Sequence, residues 1–270
     1  MLKPTLFEKK TSQFRRRTIQ FLGAALTAVT CFGTTAVASE DYPNRPIRMV
    51  IPFPAGGPAD FVGRLYAQYL TKLAGQPVVI ENIAGAAGSI GTSNVARADP
   101  NGYSILFGTT STMAINQVLM PNLPYEFQKD FAQIGLIANA PHVLVVSATV
   151  PANNLAEFIA LAKSKPGVLT FGSAGVGSIV QMGSELVKVG TGIDVLHVPY
   201  KGGAPATMAL LKGEVDMTVN DLTTLKGNIE AGKVRALAVA NNTRLKPLPN
   251  VPTFAELGFP QIMSSTWWGI

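Results

Sequence analysis

Three times in succession, an apolar strand-like stretch passes through a glycine-rich turn into a segment with helical spacing. No other feature of the chain restricts its fold so tightly. The first unit runs from "IRMVIPF" (47–53) through "PAGGPAD" (54–60) into Phe61, Val62, Leu65, Tyr66, Tyr69, Leu70 and Leu73, and Gly75 supplies the helix stop. The second joins "PVVIEN" (77–82) through "IAGAAGSIG" to a helix ending near Arg97, and the third joins "YSILFGT" (103–109) to "TSTMAIN". After the apolar stretch "HVLVVSA" (142–148) the pattern restarts. Residues 155–163 give an amphipathic helix closed by Lys165-Pro166-Gly167, and "LTFGSA", "DVLHVPY", "VDMTVND" and "VRALAVA" give strands separated by turn-plus-helix segments. Such alternation predicts parallel α/β sheets. Two sets joined by continuous strands predict two lobes, residues 39–142 and 143–262, with residues 263–270 beginning a return strand. A cleft at the carboxyl ends of the strands is where such sheets take ligands.

Charge narrows the function. The formal net charge is +6, but residues 1–38 hold six basic residues against Glu8 alone. Residues 39–270 keep 16 of the 22 basic and 15 of the 16 acidic residues, so this part is close to neutral and gives no basic surface for nucleic acid. The basic segment ends at Arg17, an apolar stretch runs from about Ile19 to Phe32, and Ala36-Val37-Ala38 comes next. This is the pattern of a secretory signal peptide, shorter than a membrane-spanning helix requires. Cys31, the one cysteine, would leave with it, so the mature chain would form no disulfide or thiolate metal site.

Six turns are expected to face the cleft: 54–60, 84–90, 109–112, 173–178, 200–205 and 220–223. Gly57, Gly85, Gly177, Gly202 and Gly203 would let backbone N–H groups approach a ligand, and Thr109, Ser111, Ser173 and Ser178 would add hydroxyls. Several of these turns enter helix N-termini, which attract anions, so neutral donors alone would hold a carboxylate. Glycines and serines are also ordinary loop and cap residues. Asp60 is either a cap or a selector for a ligand amine or hydroxyl, and Asp221 lies in the last of the six turns. Phe53 and Tyr200 are wall candidates or strand-end packing residues. Lys201 offers charge to an anion or to solvent. His142 begins the crossing strand and is a candidate lining residue, whereas His197 lies within an apolar strand and suits the core. The chain has no G-x-S-x-G elbow, no phosphate loop and no complete dinucleotide fingerprint, and its two histidines sit on separate strands. No cofactor, metal or catalytic group is expected.

The motifs "YPNRPIRMVIPFPAGGPAD" (42–60), "GQPVVIEN" with "GAAGSIGT", "DPNGYSILFGT", "HVPYKGGAPA" and "LPNVPTFAELGFP" occur in the order found in the receptors of tripartite tricarboxylate transporters, the Bug receptors. The resemblance runs from about Tyr42 to Ile270. It implies a two-lobed, Venus-flytrap periplasmic binding protein (type II-like) that captures a di- or tricarboxylate, an aromatic acid or an acidic amino acid for integral-membrane permease subunits. It places Phe53, Ala55, Gly57 and Asp60 beside the ligand, with Ser173, Gly177, Ser178 and Tyr200 to Ala204 (Lys201 and Gly202 included) opposite. Hinges are expected near residues 141–145 and 264–270. Family members continue for some fifty residues past the "TWWGI" position, so the chain is expected to lack a segment that completes the first lobe. A receptor that senses its ligand for a signalling system is the alternative function, and an exported α/β hydrolase is the remaining one.

Overall fold

The first strand, β1 (Ile47–Ile51), lies in the centre of a small parallel sheet, with Ile47, Met49, Val50 and Ile51 buried and Arg48 alone partly exposed. The computed structural model describes residues 41–270; the expected leader and Cys31 lie outside the described residues. β1 is flanked by β2 (Val78–Asn82) and β3 (Ser104–Leu106), with Ile47 opposite Val78 and Met49 opposite Ile105. Helix α1 (Pro58–Ala74) follows β1, with proline in its first turn and Gly75 closing it at φ 65°. Helix α2 (Ser89–Ala96) follows β2. Met49, Ile51, Ala59, Ala67, Phe107 and Trp268 form the core under α1. Val62 and Tyr66 pack on that core, whereas Phe61, Leu65, Tyr69 and Leu73, spaced four apart along α1, are 52, 54, 62 and 68% exposed.

The third sequence unit divides where a single strand was expected. β3 stays in the first sheet, and β4 (Gly108–Thr109), one residue further on, joins a second sheet instead. A π-helical turn (Ser111–Ile115) and the short helices α3 (Asn116–Leu119) and α4 (Phe127–Asp130) follow.

The crossing strand β5 (Leu136–Ser147) starts six residues before the expected "HVLVVSA" run. Its first half is not apolar enough to signal a buried strand, because it is held by pairing with β10 (Ser265–Gly269), which arrives from far along the chain. Its second half, Val143–Val146, is fully buried between β8 (Met217–Asp221) and β9 (Val234–Val239), antiparallel to both. β6 (Thr170–Ser173) lies parallel to β7 (Leu196–Pro199) and β8, so the second sheet is mixed, with the order β4-β10-β5-β8-β6-β7 and β9 also on β5.

Helices cover this sheet on two faces. α5 (Leu155–Ser164) opens on Asn154, whose side chain accepts from Glu157 N while Asn153 N donates to the Glu157 carboxylate at 2.7 Å. α6 (Ile179–Thr191) is capped by Ser178, and α7 (Gly203–Lys212) starts at Gly202 with no side-chain cap. The helix expected after Asp221 is a single short piece, α8 (Lys226–Glu230). One core, including Phe158, Phe171, Val187 and Phe254, fills one face, and a second, including Leu210, Val215 and Leu225, fills the other.

Candidate functional site

The carboxyl ends of the parallel strands, with the two crossing strands β5 and β10 between them, leave a cleft of about 430 Å³ including its open mouth. It is lined from the first half by Phe53, Gly57, Pro58, Ala59, Thr109 and Ser111, and from the second by Ala174, Ser178, Ile179, Val180, Gly203, Asn220 and Asp221. Thr266 and Trp268 on β10 complete the lining. Three helices start here: α1 at Pro58–Ala59, α6 at Ile179–Val180 and α7 at Gly203. First-turn N–H groups have no intrahelical acceptor, and each helix start carries about half a positive charge. Two of the three caps, Gly57 and Gly202, contribute no side-chain hydrogen bond, so those N–H groups stay available.

The halves touch across the cleft. Ile179 N, the first donor of α6, donates to Ser111 Oγ at 2.9 Å. Gly202 is buried, at φ 127°, and a Cβ there would meet the Pro54 ring at 2.5 Å. Only glycine permits both this backbone conformation and this approach. The hydroxyl of Ser178 accepts from Gln181 N at 3.2 Å and fixes the start of α6.

Of the residues singled out from the sequence, Phe53, Gly57, Thr109, Ser111, Ser178, Gly203 and Asp221 border the cleft. Ala55, Asp60, Gly85, His142, Ser173, Gly177, Tyr200, Lys201, Gly202 and Ala204 are not in its lining. Asp60 is buried, and its carboxylate accepts from Gly56 N at 3.0 Å, Arg64 Nε at 2.9 Å and Asn82 Nδ2 at 3.0 Å. Burial alone would raise its pKa, but the hydrogen bonds from Arg64, Gly56 and Asn82 outweigh it and hold the carboxyl below its ordinary range. Asp60 thus ties the first-half turn to α1 and β2.

Ser173 is fully buried, with its Oγ 2.6 Å from His197 Nε2 and accepting from Gly175 N at 3.2 Å. His197 stacks on Phe171 at 4.7 Å between ring centroids. Burial lowers its pKa, an effect Glu185 partly offsets and Lys188 reinforces. The pair resembles a nucleophile and its base, but a serine with no exposed surface cannot reach a substrate; it fixes the 173–178 turn. Tyr200 packs on the core beside α7, and Lys201 is exposed. Gly202 and Ala204 flank the lining residue Gly203.

His142 lies wholly inside, behind the cleft floor. Its Nδ1 is 2.9 Å from Ser264 Oγ and its Nε2 is 2.8 Å from Thr266 Oγ1, so it joins the two crossing strands. Burial brings its pKa down to about 3, which keeps it neutral at ordinary pH. Asp221, its cross-strand partner on β8, is also buried, and burial pushes its carboxyl up to about 6. No lysine, arginine or histidine lines the cleft.

Asn220, Thr266 and Trp268 were not singled out as site residues from the sequence. Asn220 is in a turn expected to face the cleft. Thr266 and Trp268 needed the knowledge that β10 pairs with β5, after which their alternation places both on one face.

The fold and its cleft define a class: two-lobed solute-binding proteins, which bind a small molecule rather than transform it. Residues 62–270 match the tripartite tricarboxylate transporter family receptor, and the chain belongs to that family. It is similar to three solved structures. An R. palustris protein solved with adipate is 36% identical, with a TM-score of 0.82 over 85% of this chain and 77% of its own. The periplasmic binding protein BugD is 37% identical, with a TM-score of 0.81 over 84% and 76%. MatC from Rhodopseudomonas palustris, solved with bound malate, is 33% identical, with a TM-score of 0.80 over 84% and 78%. The chain therefore spans about three quarters of the length of these proteins. Family and neighbours are binding proteins and not enzymes. Among the described residues no helix is long and apolar enough to cross a membrane.

Proposed function

We propose that the chain is a periplasmic receptor that closes over a small carboxylate and presents it to integral-membrane permease subunits. The observation that carries this reading is the meeting of three helix N-termini on a cleft with no basic side chain in its lining. An anion there is held by oriented amides and hydroxyls, each helix start contributing roughly 0.3–1 kcal/mol, more when shielded from water. The adipate and malate bound by the two R. palustris proteins agree with this ligand class. In this reading, residues 39–142 and 143–262 are the lobes, and β5 with β10 is the hinge, bending near 141–145 and 264–270. Residues 1–38 act as the export signal, as their sequence indicates.

Calorimetric titration with mono-, di- and tricarboxylates tests the central part. A saturable response to at least one acid, and none to amines or neutral sugars, is expected. A response to sugars alone overturns the reading. Export is tested by determining the N-terminus of the secreted protein, expected at or near Ser39.

A further inference from the structure

The cleft floor carries two polar groups of opposite character, and their orientation is fixed by the backbone. Asn220 Oδ1 accepts from Asp221 N at 2.9 Å. Exchanging the amide oxygen and nitrogen would set one N–H against another, so this bond settles which atom is which. Asn220 Nδ2 is therefore directed elsewhere. It is buried and has no hydrogen-bond partner, on a residue only 1% exposed that lines the cleft. A Cβ at Gly203, the first residue of α7, would lie 3.8 Å from it. Asn220 thus adds an unused donor beside the start of α7, and an unsatisfied buried donor is costly until an acceptor arrives.

Asp221 follows as the last residue of the strand and borders the same cleft. Its Oδ1 accepts from Thr223 N at 3.1 Å and from the Thr223 hydroxyl. Among the described residues no other side chain donates to this carboxyl; besides Thr223, only its own backbone N–H acts on it. Its cross-strand partner is His142, whose two ring nitrogens are engaged with Ser264 and Thr266. Among the described residues no basic group borders the cleft, so a donor on a bound ligand is free to meet Asp221.

We propose that Asp221 is a specificity residue: the ligand is a small carboxylate that also carries a hydrogen-bond donor, a hydroxyl or an ammonium, which seats on Asp221 Oδ2 while the anionic end lies at Asn220 Nδ2 and the start of α7. This rests on the carboxylate reading above. A plain diacid would bring a second negative charge against Asp221, whereas a hydroxy or amino acid brings the donor that the buried carboxylate lacks.

The test is isothermal titration of the purified chain with succinate, 2-hydroxysuccinate and aspartate, repeated on Asp221→Asn and Asn220→Ala. The amide introduced by Asp221→Asn has the size of the carboxylate and could keep the oxygen that Thr223 binds, but would turn an N–H toward the cleft. The wild type is expected to prefer 2-hydroxysuccinate or aspartate over succinate by about tenfold or more, with whichever wins identifying the donor. Asp221→Asn is expected to erase that preference, and Asn220→Ala to weaken all three acids by a similar factor. An unchanged preference in Asp221→Asn overturns the proposal, and if that variant does not fold, equal wild-type affinity for the three acids overturns it alone. A wild type silent to every carboxylate overturns the underlying reading and this one with it.

Discussion

Two acids expected at the cleft from the sequence lie in different places. Asp60 follows a conspicuous glycine turn and reads as either a helix cap or a ligand selector, and three donors converge on it. Asp60→Ala is therefore expected to lower stability by about 1–3 kcal/mol, because Gly56 N and Asn82 Nδ2 lose their acceptor. It should weaken every carboxylate ligand by a common factor; urea unfolding and titration of two unlike acids check both points. Asp221, at the end of an unremarkable strand, is the acid that borders the cleft. It also affects stability through pH. Its folded pKa of about 6 lies above the unfolded value, so between about pH 4 and 6 the folded state binds more protons and stability falls as pH rises. His142, with its folded pKa at about 3, acts in the other direction: the unfolded chain binds more protons below about pH 6.5, so stability rises with pH from 3 to 6.5. The two slopes oppose each other between pH 4 and 6. In Asp221→Asn the rise across that window should steepen by about 1.4 kcal/mol per pH unit, as read from urea midpoints. A window no steeper than in the wild type would show that Asp221 is not buried as described.

At the scale of elements, the strand–turn–helix units were legible because apolar periodicity, proline at a helix start and glycine at its end are local signals. The β1–α1 unit and the α6 and α7 segments carry all three kinds of evidence or most of them. The first half of β5 was not legible. Leu136 to Pro141 show no clean alternation and none is fully buried, and their strand character comes from pairing with β10, more than a hundred residues away. For the same reason Thr266 and Trp268 could not be placed in the cleft from their own neighbourhood. The close approach of α7 to the first half gives a prediction at this scale. Gly202→Val would force a side chain into the Pro54 ring and strain the backbone at φ 127°. Ligand affinity is expected to fall at least about tenfold, and small-angle scattering with saturating ligand should show a larger radius than the wild type; an unchanged radius would mean that the halves do not close through this contact. Ser178→Ala, by comparison, leaves that approach intact and removes the cap of α6, at a cost of about 1 kcal/mol in stability.

For the whole molecule, the strands and the crossing pair β5 and β10 set one face of each half toward the cleft, while the first half leaves an apolar row on α1 open to solvent. Phe61, Leu65, Tyr69 and Leu73 belong to the same helical repeat as Val62 and Tyr66, which marked the helix but not which of its residues reach the sheet. Only Val62 and Tyr66 meet the sheet. Leu65→Lys with Tyr69→Lys is expected to change unfolding free energy by less than about 0.5 kcal/mol, while reducing the binding of an apolar dye. A large loss of stability would show that this row is covered in solution. The claim on which the account depends is that amides and hydroxyls from opposed halves, without a basic side chain, hold a negative ligand. A crystal structure of the chain with a bound carboxylate tests it most directly. The account predicts carboxylate oxygens within hydrogen-bonding distance of the first-turn N–H groups at Ala59, Val180 or Gly203 and of Asn220 Nδ2. A carboxylate found paired with Lys201 or another basic side chain, away from those helix starts, would contradict it.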